Sequence, residues 1–310
     1  MSEASHWMIR RISVIGAGAM GAYYASKLFD MDPRSVFLTA RGDRFGRLRD
    51  KGIIVNGRKY QIKVNDPTVE TAPFDMILCA VKSYHLDEAI EDMRNLVGQD
   101  TIIISVMNGI DSERQIGSVF GMEKILYSVA VGIDAVREGN AVRYTREGKL
   151  LFGEADNSNL TEKVKRVKNL LVRARIPHEI PVDMIRALWW KFMVNIGINQ
   201  VSAVLGASYG IFQRSSDARQ LTAMAMEEVI EIAQKEGVNL SREDIAQWNR
   251  ILMELAPEGK TSMLQDIEAK RKTEVDMFAA RVIELGKKYG ISTKVNQVLL
   301  GCIRVLEGHF

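Results

Sequence analysis

Through its first half the chain alternates short apolar runs with stretches of helical periodicity. Arg11 to Ile15 predicts a strand, Ala19 to Phe29 a helix and Val36 to Ala40 a second strand. Lys51 to Val64 has hairpin alternation, with Asn56-Gly57 at its turn. Asp75 to Val81 and Thr101 to Met107 are continuous apolar runs, as in parallel strands buried on both faces. Asp87 to Leu96 predicts the crossover helix between them. Ile125 to Asp134, Ala141 to Tyr144 and Lys149 to Phe152 read as further strands, Leu160 to Ala174 as a helix, and Pro177 to Pro181 as a short extended segment. Strands interleaved with helices predict an α/β fold with an open parallel sheet covered on both faces.

After Val182 the alternation stops. Asp183 to Ala207, Ala218 to Glu236, Ser241 to Met253, Ser262 to Tyr289 and Lys294 to Leu306 all carry helical periodicity. The boundary is therefore expected near Pro181, giving a nucleotide-binding-type domain over 1–182 and an all-α domain over 183–310. There is no internal repeat and no low-complexity segment.

Composition narrows the function classes. A chain of 310 residues, 46% apolar and 26% charged, is long enough for two packed cores and is neither disordered nor a disulfide-knotted module. Lys plus Arg is 42 against 39 Asp plus Glu, a net charge of +3 that is too small and too dispersed for a nucleic-acid binder. Cys79 and Cys302 lie far apart, and His6, His85, His178 and His309 show no metal-ligand spacing, so no metal is expected. Arg10-Arg11 ahead of an apolar run has the look of an export signal. Gly16, Gly18 and Gly21 within that run suit a strand-loop-helix instead, and a cytoplasmic location is the expectation. Ala187 to Leu205 is the most apolar stretch, but Lys191, Asn195, Asn199 and Gln200 interrupt it, so no membrane partner is expected. The apolar helix faces suit a monomer core or a homodimer interface equally.

Gly16-Ala17-Gly18-Ala19-Met20-Gly21 is the clearest motif. It follows a predicted strand and opens a predicted helix at the start of a βαβ unit, the context of a Rossmann-type dinucleotide site. Its glycines allow a tight turn and close approach of a pyrophosphate, and the helix N-terminus offers free N–H groups and a positive dipole end. A tight turn without ligand is the plain alternative. NAD-binding chains place an acid at the end of the second strand, for the ribose diol. Here that strand ends Thr39-Ala40-Arg41, 20 residues after Gly21. A guanidinium there suits the 2′-phosphate of NADP, and Arg44 and Arg47 add charge. Asp43 argues the other way, and a solvated basic loop is the structural alternative. Lys82 and Asn108-Gly109 follow the two later apolar strands, where a parallel sheet opens onto the nicotinamide end of a cofactor.

In the helical half, Lys191, Asn195 and Asn199 are spaced i, i+4, i+8. On a regular α-helix they cover about 80° of the surface, and Ser202 falls within that arc. Trp189, Trp190, Phe192, Met193, Val194, Ile196 and Ile198 fill most of the rest, so the helix is expected to be buried. Buried polar groups need partners, and a polar ligand in a cleft would supply them; a solvent-facing stripe is the alternative. In the next-to-last predicted helix, Ile267, Arg271, Glu274 and Phe278 share a face. Ser262 and Gln265 have capping-box spacing, a sufficient structural role for Ser262, although a helix N-terminus equally suits a carboxylate.

Together these residues resemble the ketopantoate reductase (2-dehydropantoate 2-reductase) family over nearly the whole chain. The matching blocks are Gly16 to Gly21, Val81-Lys82, Asn108-Gly109, Ile185 to Trp189 leading into Lys191, Asn195 and Asn199, and Ser262 to Ile267 followed by Thr273 to Asp276. The resemblance implies a Rossmann-type NADP domain followed by a helical substrate domain. It also implies NADPH-dependent reduction of 2-dehydropantoate to pantoate, on the route to pantothenate and coenzyme A. It casts Lys191 as the general acid and Glu274 as a catalytic-site residue that helps hold cofactor and substrate. Gly16, Ala17, Gly18, Ala19, Met20, Gly21, Arg41, Lys82, Asn108 and Ala135 are assigned to the cofactor, and Asn108, Lys191, Asn195, Asn199 and Ser262 to the substrate. Two departures occur: Gln200 stands where the family often has proline, and Tyr209 where it has a substrate-binding asparagine. They bear on which 2-keto acid is taken more than on the reaction. The alternatives are a paralogous NADPH-dependent reductase of another 2-keto acid and a non-catalytic NADP-binding regulatory protein; the presence of Lys191 speaks against the second.

Overall fold

The structure, a computed structural model, describes residues 8–139 and 141–310. Of the residues considered above, His6 lies outside them. The chain forms two compact units, Met1–Ala187 and Leu188–Phe310, dividing within a helix a few residues beyond Pro181.

In the first unit the elements are β1 (Ile12–Ile15), α1 (Ala19–Met31), β2 (Val36–Thr39), α2 (Gly42–Lys51), β3 (Ile53–Val55), β4 (Arg58–Tyr60), β5 (Lys63–Asn65), β6 (Phe74–Cys79), α3 (Leu86–Met93), β7 (Val97–Ser105), α4 (Ser112–Phe120), β8 (Ile125–Ile133), β9 (Val136–Glu138), β10 (Ala141–Arg143), β11 (Glu147–Gly153), α5 (Glu162–Arg173) and β12 (His178–Glu179). Eight strands make one sheet in the order β12-β11-β8-β7-β6-β1-β2-β5. The six from β8 to β5 are parallel, and β11 runs antiparallel to β8. Alternate residues of the central strands feed two cores: Ile12, Val14, Met76, Leu78, Ile102 and Ile104 on one face, Ile77, Cys79 and Ile103 on the other. Double-sided burial is what the continuous apolar runs require.

The hairpin forms as expected, with Asn56 and Gly57 both at positive φ (48° and 80°). It does not join the main sheet, however. β3 and β4 form a second, four-stranded sheet, β4-β3-β10-β9, and only the segment after the hairpin, β5, adds to the edge at β2. Three helices carry no clear sequence signal: α2, α4 and α8 below. In α2 only Leu48 is buried, so its apolar stripe is one residue wide.

The second unit is helical: α6 (Met184–Val194, starting just before the division), α7 (Gln200–Leu205), α8 (Tyr209–Arg214), α9 (Ser216–Lys235), α10 (Arg242–Glu254), α11 (Ser262–Glu268), α12 (Arg281–Tyr289) and α13 (Lys294–Glu307). Two π-helical turns interrupt it, Asn195–Asn199 between α6 and α7 and Asp276–Ala280 before α12.

The long helix expected over Ser262 to Tyr289 is broken. α11 stops at Glu268 in a left-handed cap: Lys270 has φ 51°, its N–H reaches the Ile267 carbonyl at 3.0 Å, and the Arg271 N–H reaches the Asp266 carbonyl at 2.8 Å. Such caps are usually marked by glycine, and Lys270 hides this one. Ile267, Arg271, Glu274 and Phe278 therefore do not line one helical face.

Candidate functional site

In the first unit the glycine loop joins β1 to α1. Gly16 has φ 95°, and a Cβ there would lie 2.7 Å from the Ala80 carbonyl oxygen; at Gly21 it would lie 1.8 Å from the Gly16 oxygen. Those two glycines serve the fold itself. Gly18, the residue before α1, differs. Its backbone is extended (φ −76°), and a Cβ on it would meet nothing within 4 Å. The surrounding protein does not require glycine at this point, and its bare Cα leaves open space beside the loop. The first turn of α1 has no side-chain cap and no acid, so the amides of Ala19, Met20 and Gly21 head the helix without a side-chain acceptor from the cap. Dinucleotide phosphates fit this cradle.

Four further positions lie beyond the carboxyl ends of the parallel strands, on the same edge of the sheet: Arg41 past β2, Lys82 past β6, Asn108 past β7 and Ala135 past β8. Lys82 and Asn108 are half-buried, and Ala135 packs against the core. Gly109 takes φ 91°, so the Asn108-Gly109 turn is a true left-handed turn. Arg41 is the residue before α2, and its guanidinium lies 3.4 Å from both Glu88 and Asp92 of α3. Arg44 is 4.0 Å from Glu88, while Arg47 has no ion pair among the described residues.

One buried group at this edge escapes sequence reading. Glu113 is 2% exposed, accepts hydrogen bonds from Ser112 Oγ (2.9 Å) and Ser128 N (3.4 Å), and reaches Ser105 through the Ser105–Ser112 hydroxyl pair at 2.8 Å. This network ties together the two ends of the Asn108-Gly109 turn. Burial pushes the Glu113 carboxyl up to about 7 from 4.5. The folded state therefore holds a proton that the unfolded chain releases, and stability falls as pH rises from about 4.5 to about 7. Glu113→Gln is expected to flatten that slope, with the variant's melting temperature gaining on the parent's between pH 5 and pH 8. A loss at pH 8 instead shows that the carboxylate is held ionised by its serine partners.

In the second unit the apolar helix is buried as expected, with Trp189, Phe192, Met193, Val194, Ile196 and Ile198 each at most 3% exposed. The stripe is not regular. The π turn begins at Asn195 and widens the helix between Asn195 and Asn199, seating Gly197 against α9, where a Cβ would lie 2.6 Å from Met226. Lys191 is half-buried, and desolvation lowers its ammonium to about 8 from 10.5; among the described residues no hydrogen-bond acceptor or carboxylate partners it. Asn195 is 3% exposed. Asn199 is 5% exposed, and its side-chain amide makes no hydrogen bond among the described residues.

Two polar neighbours have protein partners through their donor groups, while Gln200 Oε1 is buried without a hydrogen-bond partner among the described residues. Ser202 donates to the Ala207 carbonyl at 2.6 Å. Gln200 is fully buried and donates to Ile196 O (2.8 Å) and to Asn296 of α13 (3.0 Å), so this departure from the family pattern is a core contact between helices.

Around the π turn pack α11 and the second π turn. Thr261, not Ser262, caps α11, accepting from Leu264 N at 3.2 Å, and Gln265 turns to the Lys260 carbonyl. The capping box expected of Ser262 and Gln265 is thus absent, and Ser262 is exposed in the first turn. Glu274 is 5% exposed at the entry to the second π turn, where its carbonyl accepts from Met277 and Phe278. Tyr209 opens α8, donates its N–H to the Gly259 carbonyl at 3.0 Å and lays its ring against Gly259, two residues before the cap of α11.

Comparison with known sequences decides the family. The profile of Ketopantoate reductase PanE/ApbA matches residues 12–157, and that of its C-terminal domain residues 183–307. The chain belongs to the ketopantoate reductase family. Curated family relatives named 2-dehydropantoate 2-reductase include that of Aquifex aeolicus, 25% identical over 97% of this chain and 98% of its own, and that of Pyrococcus horikoshii, 26% identical over 96% and 97%. The family is one of oxidoreductases. The fold is shared with D-mandelate dehydrogenase solved with NADH and anilino(oxo)acetate (TM-score 0.87, 23% identity, 96% of this chain and 98% of that one). It is also shared with a dimeric ketopantoate reductase from Staphylococcus aureus (TM-score 0.80, 23% identity, 96% and 99%). Among the described residues no group of His, Cys, Asp and Glu is arranged to hold a metal ion, and no helix is long and apolar enough to cross a membrane. Both cysteines are free, and burial pushes the Cys79 thiol up to about 12.

Proposed function

We propose that this family member is an NADPH-dependent 2-dehydropantoate 2-reductase, forming pantoate for pantothenate and coenzyme A in the cytoplasm as a monomer or homodimer. The observation that carries the reading is a pair of polar heads without protein partners among the described residues, the half-buried Lys191 ammonium and the Asn199 amide, on a helix packed mostly with apolar side chains. Groups in that state are retained where a ligand satisfies them.

The Gly16–Gly21 loop, with Ala17, Ala19 and Met20, would hold the pyrophosphate, and Arg41 the 2′-phosphate. Lys82, Asn108 and Ala135 would line the nicotinamide end, with Glu274 holding cofactor and substrate. When bound, the reduced nicotinamide supplies a hydride to the ketone carbon. Lys191 stabilises the negative charge that grows on the ketone oxygen and delivers its proton there. Asn195 and Asn199 bind polar atoms of the keto acid, and Asn108 and Ser262 are assigned to the substrate as well.

Two variants check these roles separately. Asn199→Ala leaves a substrate group short of a partner, at about 1–3 kcal/mol, and is expected to raise KM roughly five- to hundredfold with little change in Kd for NADPH. A lower melting temperature with unchanged KM reduces Asn199 to a structural residue. Arg41→Ala loses a charge-assisted contact worth about 1.5–3 kcal/mol, so NADPH binding weakens roughly tenfold or more while NADH binding holds. Equal affinity of the parent protein for both cofactors removes the NADP assignment.

The deciding experiment follows NADPH oxidation with 2-dehydropantoate and with linear, branched and aromatic 2-keto acids. The highest kcat/KM is expected with 2-dehydropantoate. One observation favours a second reading, a reductase of another 2-keto acid: the Tyr209 ring occupies the position of the family's asparagine and packs against the segment leading to Ser262. Preference for an aromatic keto acid establishes that reading, and no oxidation with any keto acid sinks both.

A further inference from the structure

Arg41 is not a free cation. Its Nη2 lies 3.4 Å from Glu88 Oε1 and its Nε 3.4 Å from Asp92 Oδ1. Glu88 and Asp92 stand four residues apart on α3, so one helix face presents both carboxylates to the end of β2. Asp92 is anchored, its side chain only 10% exposed, while Arg41 and Glu88 are 43% and 37% exposed. Arg44 and His85 also meet Glu88, at 4.0 and 3.5 Å, and Arg44 touches the His85 ring at 3.5 Å. Asp66, past β5, lies within electrostatic reach of Arg41 as well. Among the carboxylates and guanidiniums of this cluster, Arg41 and Arg44 face Glu88, Asp92 and Asp66, so negative groups outnumber positive ones where a 2′-phosphate would need positive charge.

We propose that Glu88 and Asp92 set the cofactor preference of this protein by competing with the 2′-phosphate of NADPH for the Arg41 guanidinium. This rests on the reading of Arg41 as the phosphate ligand. A dianionic phosphate meets a guanidinium already engaged by two carboxylates, and its own charge lies against theirs. A ribose diol meets no such opposition and finds carboxylate acceptors at hand. The pair is part-exposed and opens at little cost, so it lowers the preference for NADPH without abolishing it. Glu88 and Asp92 are therefore specificity-determining residues that act through Arg41, and the discrimination between the two cofactors is smaller than Arg41 alone would give.

The test uses the full chain with 2′,5′-ADP and 5′-AMP as probes of the adenosine end, alongside NADPH and NADH, in titration calorimetry. Glu88→Gln/Asp92→Asn keeps side-chain shape and removes both charges. It is expected to tighten 2′,5′-ADP and NADPH roughly tenfold or more while 5′-AMP and NADH stay within about twofold or weaken. Adding Arg41→Ala to that background is expected to erase the gain. Glu88→Gln alone, at the more exposed site, supplies the same comparison if the double variant folds poorly, with a smaller gain. An unchanged 2′,5′-ADP affinity in the carboxylate variants, with Arg41→Ala still weakening the parent, overturns the competition. Equal tightening of 5′-AMP and 2′,5′-ADP overturns it as well, since the carboxylates then act on any phosphate. If Arg41→Ala leaves the affinity of the parent for NADPH untouched, the underlying reading of Arg41 fails instead.

Discussion

Lys191→Ala is expected to lower turnover by roughly 10²–10⁴-fold, the range for loss of a positioned general acid, with Kd for NADPH nearly unchanged. The ammonium must be protonated to act, and desolvation sets its value at about 8. kcat/KM in the parent is therefore expected to be flat below about pH 8 and to fall toward tenfold per unit above it. The same shift has a stability sign. A lysine whose folded value lies below its unfolded one is penalised as a cation in the fold, so stability rises between about pH 8 and 10.5 as the folded form sheds its proton first. Lys191→Met keeps the length of the chain without the charge. It is expected to be inactive yet to melt above the parent at pH 7, which separates a catalytic cation from a structural one. A folded, nearly fully active Lys191→Ala removes Lys191 from the mechanism.

Gly18→Val is expected to weaken cofactor binding by roughly five- to hundredfold or more, and to leave the fold intact. The extended backbone of Gly18 suits a β-branched residue, and its Cβ meets nothing within 4 Å, so the melting temperature should stay within about 2 °C of the parent. The added isopropyl group fills the space over the first turn of α1, and overpacking a fitted site costs about 1–3 kcal/mol or more. Gly21→Ala is the contrasting variant. Its Cβ would sit 1.8 Å from the Gly16 carbonyl oxygen, so the protein loses stability first and cofactor binding with it. Melting and binding measured together on both variants separate a ligand glycine from a folding glycine. Undiminished binding by Gly18→Val removes the loop from the cofactor site.

Consecutive residues carried what depends on near neighbours. Apolar runs of the right length named the buried strands, because a strand covered on both faces needs no polar alternation. Asn56-Gly57 named the hairpin, because few residues accept two successive positive φ angles. The glycine loop and the Lys191, Asn195, Asn199 spacing named the candidate chemistry, and the apolar residues around the latter named its burial. Tertiary contacts alone decided the rest. The Asn195–Asn199 π turn forms where Gly197 lets α9 press against the helix, and nothing in its own sequence marks that partner. The break after Glu268 is held by Arg271 returning to Asp266 at 3.0 Å, in a left-handed cap whose residue is lysine instead of glycine. Arg41 was legible as a cation at the end of a strand. Its engagement by Glu88, 47 residues on, was not, because charge pairing across a sheet edge depends on which helix the topology lays beside it.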